Sequence, residues 1–109
     1  VDEEEQGYLG IQLQNIDSRM AKAYDMPEGI YVYKIVEGGA ASKSDLRERD
    51  IITKFDGERV RTGDDLQKML TYYKGGTTVT LTVQSLENGS YVEREVPVIL
   101  GYRSESEEQ

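Results

Sequence analysis

The sequence predicts a small α+β domain built on a mostly antiparallel sheet or barrel. Two observations lead to this fold class. The apolar residues alternate with polar ones over several short segments, as in half-buried strands. The order along the chain is strand, short helix, strand, short helix, strand, short strand, long helix, strand, strand, which is typical of an α+β domain.

The first elements are a strand and a short helix. Residues 8–14 alternate so that Leu9, Ile11 and Leu13 share one face of the strand. Asp17 or Ser18 can cap a helix over residues 19–24, and the segment 26–29, which contains proline and glycine, ends it. Residues 30–36 are rich in β-branched and aromatic side chains and are predicted to form the next strand.

The middle of the chain is divided by glycines. Two of them, at 38 and 39, end the strand, and the small residues 40–43 predict a brief helical turn, with Leu46 as its core anchor. Residues 50–55 form another predicted strand. An Asp-Gly turn at 56–57 joins it to a short extended piece over residues 58–60.

The longest predicted helix runs over residues 63–74. Its start is indicated by Thr62 followed by two carboxylates, and its end by glycines 75 and 76. Leu66, Met69, Leu70 and Tyr73 recur with helical spacing, and we assign Leu66 and Met69 to the core. Strands over 77–86 and 91–100 then form a hairpin around Asn88-Gly89, the strongest turn signal in the chain.

Composition limits the possible functions. The 109 residues contain neither cysteine nor histidine. This excludes disulfides, thiolate metal sites and the usual general base of a serine or cysteine hydrolase. No apolar stretch approaches the roughly 20 residues that span a bilayer, and residues 1–5 lack a signal pattern. We therefore expect a soluble piece whose export signal or anchor lies elsewhere, with no membrane contact of its own.

The net charge of −8 is concentrated at the ends of the chain. Residues 2–5 contribute −4 and residues 103–109 contribute −2, which leaves 14 acidic against 12 basic side chains between them. Acidic, polar ends of this kind favour solvated segments over a recognition arm. We expect a disordered lead at 1–6, one domain at 7–102 and a disordered tail at 103–109. The absence of a basic patch argues against nucleic-acid binding.

Three motifs that suggest chemistry have simpler explanations. The segment 38–44 resembles a phosphate loop, but the lysine spacing is wrong and no long helix follows. Asn88-Gly89-Ser90 matches a glycosylation acceptor, yet hairpin geometry explains it. The adjacent Asp64 and Asp65 would point about 100° apart on a helix and so cannot jointly bind an ion. No cofactor or metal is expected.

Three segments of this chain resemble segments of the PDZ domain of HtrA (DegP-like) serine proteases, and they follow one another in the same order as in that family. Tyr8-Leu9-Gly10-Ile11 is similar to the family's carboxylate-binding loop, and residues 29–32 with Val36, Ala40 and Ala41 are similar to its second signature region. Residues 50–60 are similar to its most recognisable stretch. The resemblance departs at residues 43–50, where Ser44 or Asp45, and Arg49, occupy positions at which the family often has glycine.

The resemblance implies a fold and a binding site. The fold would be a PDZ-like β-sandwich or barrel of five to six strands, of the circularly permuted bacterial type, with one long helix and one or two short ones. Leu9, Gly10 and Ile11 would bind a peptide carboxylate through their amides. Tyr8, Gln12 and Leu13 on the strand side, and Gly63, Gln67 and Leu70 on the helix side, would line a groove in which a peptide adds as a β-strand.

The resemblance also implies a biological role. The chain would be a non-catalytic, substrate-recognition or regulatory module of a trypsin-like serine endopeptidase in protein quality control. It would capture hydrophobic C-terminal or extended segments of peptides and unfolded proteins and act beside the parent protease domain, in an extracytoplasmic compartment. Two alternatives remain: an assembly domain with an occluded groove, and an enzyme fragment, although the missing histidine argues against the latter.

Overall fold

The computed structural model of this chain describes residues 2–102. Its strands are β1 (Gly7–Tyr8), β2 (Ile11–Ile16), β3 (Gly29–Ile35), β4 (Ile51–Phe55), β5 (Glu58–Arg59), β6 (Thr78–Glu87), β7 (Ser90–Ile99) and β8 (Gly101–Tyr102). Its helices are α1 (Ser18–Tyr24) and α2 (Gly63–Leu70), with 3-10 turns at Glu3–Glu5 and Ala41–Lys43.

The strands form two antiparallel sheets. The larger has the order β2-β3-β4-β6-β7, with β5 paired to β4, and the smaller consists of β1 and β8. This is the small α+β fold that the sequence predicts. Because β2 comes first in the order, one of its edges has no strand partner in the described part of the chain.

One apolar cluster fills the space between the sheet and α2. Phe55 lies at its centre with no exposed surface, and Leu66 and Leu70 reach it from α2. Leu46 is buried as predicted, and Met69 packs against the cluster while remaining half-buried. The helical spacing therefore identified the buried face of α2 correctly.

The predicted hairpin is confirmed. Glu87 pairs with Ser90, and the two residues between them have positive φ angles, 51° at Asn88 and 84° at Gly89. Such angles define the type I′ turn that matches the strand twist, and Asn-Gly is its preferred sequence. The Asp56-Gly57 turn between β4 and β5 has the same form.

The prediction for the end of α2 was wrong. The helix ends at Leu70 rather than at residue 74. Tyr72 N–H donates to Met69 C=O at 3.1 Å and Tyr73 N–H to Leu70 C=O at 3.3 Å, so the last turn tightens. Tyr73 leaves the helix and packs edge-on against Phe55, with ring centroids 5.1 Å apart.

The first predicted strand is in fact two strands. Gly10 has a φ of 79°, which interrupts the extended backbone between β1 and β2. β1 pairs with β8 through Gly7 with Tyr102 and Tyr8 with Gly101. The alternation of apolar residues continues across the break because Leu9 still points into the core.

The two ends of the chain differ in how far the structure describes them. Within the lead predicted to be disordered, Glu3–Glu5 forms a 3-10 turn, and Glu5 C=O accepts a hydrogen bond from Gly75 N–H at 2.9 Å. The tail predicted at 103–109 lies outside the described residues. Between residues 2 and 102 the helices are too short and too polar to cross a membrane.

Candidate functional site

The candidate site begins at the break between β1 and β2. Gly10 adopts a left-handed conformation, and a Cβ there would lie 3.1 Å from Gly39 Cα. Two features therefore favour glycine at residue 10: its positive φ angle and the close approach of the 36–41 loop. Two carbonyls hold the break in place: Leu9 C=O accepts from Ala41 N–H at 2.8 Å, and Gly10 C=O from Val36 N–H at 2.9 Å.

The amides on this segment are free of protein acceptors. Within residues 2–102, no hydrogen bond to protein uses the N–H of Leu9 or Gly10. The bond from Val36 N–H to Gly10 C=O makes Ile11–Ile35 a non-hydrogen-bonded pair of the ladder, so the Ile11 N–H points away from β3. Successive free amides of this kind can bind an anion such as a carboxylate.

The open edge of β2 continues from this loop. Residues alternate along a ladder, so Leu13, like Ile11, turns its N–H and C=O toward the unpaired edge. The side chains of Ile11 and Leu13 are half-buried and pack against the core. An extended peptide beside β2 would therefore find both a row of main-chain partners and apolar side chains.

Helix α2 lies beside β2, as the predicted groove requires. Its first residue, Gly63, donates its N–H to Asn15 Oδ1 at 2.7 Å. Beyond its other end, Tyr73 C=O accepts from Gly7 N–H at 2.8 Å. Both ends of the helix are thus tied to β1 and β2, and we call the space between α2 and the open edge of β2 the slot.

The predicted groove residues take different positions around this slot. The side chains of Leu9 and Leu70 are buried, with 2% and 5% exposure, and so belong to the floor. Gln67 is exposed on α2 and lies one turn after Gly63. Gln12 is exposed on the face of β2 opposite Ile11 and Leu13.

Tyr8 borders a cavity of about 590 Å³, together with Val36, Lys43, Ile99 and Tyr102. The Tyr8 ring lies 3.4 Å from where a Cβ on Gly10 would be. The Tyr8 ring thus lies beside Gly10, and its place in the peptide groove stays a prediction.

Sequence reasoning missed Asn15, although a signal was present. Asn15 stands two residues after Leu13 in the alternation of Leu9, Ile11 and Leu13, and asparagine is a residue type that often caps a helix. In the structure Asn15 is exposed, and its side chain accepts a hydrogen bond from the amide at the start of α2.

The acidic residues of the described chain do not gather into a metal site. No group of three possible ligands is found within residues 2–102. At the start of α2, Asp65 Oδ2 instead accepts from Arg61 N–H at 3.0 Å, while Asp65 N–H donates to Thr62 Oγ1 at 3.1 Å. Thr62 and Asp65 therefore use their side chains to cap the start of α2.

Comparison with known proteins identifies the family. A family model described as "PDZ domain" matches residues 7–98. The "Probable periplasmic serine endoprotease DegP-like" of Chlamydia muridarum is 33% identical over 94 residues, which cover 84% of this chain and 18% of that protein. The "Serine protease Do-like HtrA" of Lactobacillus helveticus is 33% identical, covering 83% of this chain and 22% of that protein.

Solved structures share the fold. The HtrA-type protease AlgW with a decapeptide aligns at a TM-score of 0.72 and 22% identity, covering 91% of this chain and 30% of that one. The HtrA3 PDZ domain bound to a phage-derived ligand aligns at 0.62 and 19% identity, covering 88% and 89%. This chain spans about a fifth of the length of the curated relatives it matches, and the matched region is a PDZ domain rather than a protease domain.

Proposed function

This chain belongs to the PDZ domain family, and on that premise we propose that it binds peptide C-termini by β-strand addition along β2. The terminal carboxylate accepts hydrogen bonds from the amides of Leu9, Gly10 and Ile11. The last side chain enters the slot over Leu9, beside Ile11, Leu13 and Leu70. Gly63 and Gln67 border the slot on the helix side, and Gln12 faces the outer side chains of the peptide.

One observation supports this proposal above the others: amides stand without a protein acceptor next to an unpaired strand edge. Buried backbone N–H groups are nearly always hydrogen-bonded in folded proteins. A loop that uses its carbonyls internally and leaves its amides free is therefore suited to an anionic partner. A peptide ending in a carboxylate supplies the anion and the strand together.

The expected affinity is modest. Burial of one apolar side chain contributes roughly 1.5 to 3 kcal/mol, and each main-chain hydrogen bond about 0.5 to 1.5 kcal/mol. The cost of ordering the peptide offsets much of this. We expect dissociation constants on the order of micromolar, which suits reversible capture of C-termini.

The parent protein is proposed from the relatives' names. The two curated relatives are named as serine proteases, one of them periplasmic. We propose that this domain is the substrate-recognition or regulatory part of an extracytoplasmic serine endopeptidase that acts in protein quality control. Its partners are then unfolded or peptide C-termini and the protease domain of its own chain.

An assembly role with an occluded groove is the second candidate. The contact between Asn15 and Gly63 favours it, because this contact narrows the slot. The two candidates differ in a simple way. A binding module responds to a free C-terminus, whereas an occluded assembly domain does not.

The test is a titration followed by amide NMR. A peptide ending in a hydrophobic residue with a free carboxylate is expected to shift the amide signals of residues 9–13 at micromolar to millimolar concentration. The same peptide with an amidated C-terminus is the control and is expected to bind at least about tenfold more weakly, because charged hydrogen bonds are lost. Equal binding of both forms, or no shift with either, contradicts the proposal.

A pair of glycine variants tests the loop itself. Gly10→Ala and Gly57→Ala both place a side chain at a positive φ, 79° and 88°, but only the Cβ at residue 10 meets a neighbour within 4 Å. Both variants are expected to lose about 1 kcal/mol of stability from the backbone. Gly10→Ala alone is expected to weaken peptide binding. Equal binding by the two variants would show that the loop conformation does not matter.

A further inference from the structure

A contact between β2 and α2 closes one end of the slot. Asn15 Oδ1 accepts a hydrogen bond from Gly63 N–H across 2.7 Å, joining residues 48 apart in sequence. Gly63 is the first residue of α2, so its N–H has no acceptor within the helix. The Asn15 side chain supplies that acceptor. We call this contact the Asn15–Gly63 bridge.

At the same end of the slot, the Leu13 side chain lies between β2 and α2. A Cβ on Gly63 would lie 2.7 Å from Leu13 Cδ1, a distance that real side chains do not reach. The Leu13 side chain therefore lies in the space between strand and helix, and a larger residue at position 63 would require the end of that side chain to move. Beyond Leu13, strand and helix are in direct contact.

The bridge leaves no space for a further strand at this point. A peptide added to β2 would run about 4.8 Å from it, between the strand and the helix. At Asn15, however, one short side chain and one hydrogen bond span the whole gap. The Asn15 main chain belongs to the same set of open-edge positions as Ile11 and Leu13, so pairing at Asn15 is prevented by the bridge rather than by the ladder.

We infer that Asn15 is a specificity-determining residue that restricts recognition to about the last three residues of a C-terminus. This inference rests on the proposed function. Positions opposite Ile11 and Leu13, with the residue between them, make up those three in an antiparallel ladder. Residues further upstream in the peptide do not pair with β2, because that pairing would have to continue past Asn15.

The experiment compares two peptides on the intact chain. They are Ala-Leu-Val and Ser-Gly-Ser-Thr-Ser-Ala-Leu-Val, which share their last three residues; the longer one adds mainly backbone. The wild-type chain is expected to bind them with dissociation constants within about twofold. Asn15→Ala is expected to bind the octapeptide about three- to tenfold tighter than the tripeptide, from one or two additional main-chain hydrogen bonds.

A conservative variant controls for damage to α2. Asn15→Asp keeps an oxygen acceptor at the helix start, which a carboxylate also favours. It is expected to behave as wild type toward both peptides. Circular dichroism of each variant shows whether the fold is retained, and isothermal titration calorimetry gives the constants.

Failure of this inference is separable from failure of the proposed function. If the wild-type chain binds neither peptide, the proposed function is overturned and the inference with it. If the wild-type chain binds the octapeptide much more tightly than the tripeptide, C-terminal capture stands and the role of Asn15 is wrong. Equal peptide preference in Asn15→Ala and wild type also overturns that role.

Discussion

A buried network of three side chains connects residues far apart in sequence. Asp50 is 3% exposed and pairs with Arg94 Nη2 at 2.9 Å. Ser85 Oγ donates to Asp50 Oδ1 at 2.7 Å and accepts from Arg94 Nε at 2.8 Å. Arg94 Nη2 also reaches Asp45 C=O at 3.2 Å. The network therefore attaches the loop before β4 to β6 and β7.

Removing the cation from this network leaves a buried charge without its partner. Arg94→Met is expected to lower the free energy of unfolding by about 3 kcal/mol, because the remaining carboxylate stays desolvated. Lys74→Met is the matched control, since the Lys74–Glu5 pair spans 3.6 Å on the surface. It is expected to cost less than about 1 kcal/mol. Urea unfolding measures both, and equal losses contradict the argument.

The folded structure changes the pKa of the Tyr73 hydroxyl. Burial raises the pKa of the Tyr73 hydroxyl above the ordinary 10.0, and the hydrogen bond to Asp56 and the charges of Asp56 and Glu58 raise it further. The hydroxyl donates to Asp56 Oδ2 at 3.1 Å. Because the folded pKa is the higher one, this stabilisation is complete below pH 10.0 and is lost as pH rises through the folded value.

Alkaline titration of tyrosine absorbance tests this assignment. Among the eight tyrosines, the wild-type chain is expected to show a late ionisation step that Tyr73→Phe removes. Tyr72→Phe is the neighbouring control, since Tyr72 is 64% exposed, and it should leave the late step in place. Persistence of that step in Tyr73→Phe would assign it to another residue.

At the scale of elements, the two helices have similar caps but different packing. Asp17 accepts from Met20 N–H at 2.9 Å at the start of α1, and Thr62 accepts from Asp65 N–H at 3.1 Å at the start of α2. α1 contributes no buried residue, whereas α2 contributes Leu66 and Leu70 to the core. Similar capping hydrogen bonds therefore stabilise a helix that packs into the core, α2, and a helix that does not, α1.

Cap removal should reveal that difference. Thr62→Ala is expected to lower the global free energy of unfolding by about 1 kcal/mol, because α2 cannot unfold without exposing the core. Asp17→Ala is expected to speed hydrogen exchange within α1 while leaving global stability nearly unchanged. An equal global loss in both variants would mean that α1 unfolds together with the rest.

Local patterns in the sequence predicted most helices and strands. The features that these patterns missed depend on contacts between residues far apart in the chain. Asn88-Gly89 fixes its turn by its own backbone preferences, so the hairpin was predictable. The pairing of Gly7 with Tyr102 joins opposite ends of the described chain and leaves no local signature. After the early end of α2, Tyr73 packs against Phe55, a long-range contact that helical periodicity does not encode.

The residues of the candidate site also fall into those that the sequence identified and those that it missed. Gly10 and the apolar residues around it were identified from the family resemblance, and their binding role stays a prediction. The Asn15–Gly63 bridge was missed because it depends on the distance between the end of β2 and the start of α2, which sequence patterns do not give. The expected position of Tyr8 in the groove was based on the family resemblance and stays a prediction, while the structure shows Tyr8 bordering a cavity shared with Tyr102.

At the scale of the whole molecule, β1 and β8 bring the two ends of the described chain together behind the loop. Tyr8 pairs with Gly101, and the Tyr102 ring packs against Gly75, where a Cβ would lie 2.5 Å from Tyr102 Cδ1. β1 leads directly into Leu9 and Gly10. The last described strand thus supports the segment that carries the free amides.

Two truncations test this long-range support. A chain ending at Leu100 loses β8 but keeps Leu100 itself, which is 2% exposed in the core. Its peptide affinity is expected to fall about three- to tenfold, because a loosened loop must be ordered on binding. A chain ending at Tyr102 keeps β8 and is expected to bind like the full chain. Calorimetry with one C-terminal peptide compares them, and equal affinity for both truncations would show that the loop holds its conformation without β8.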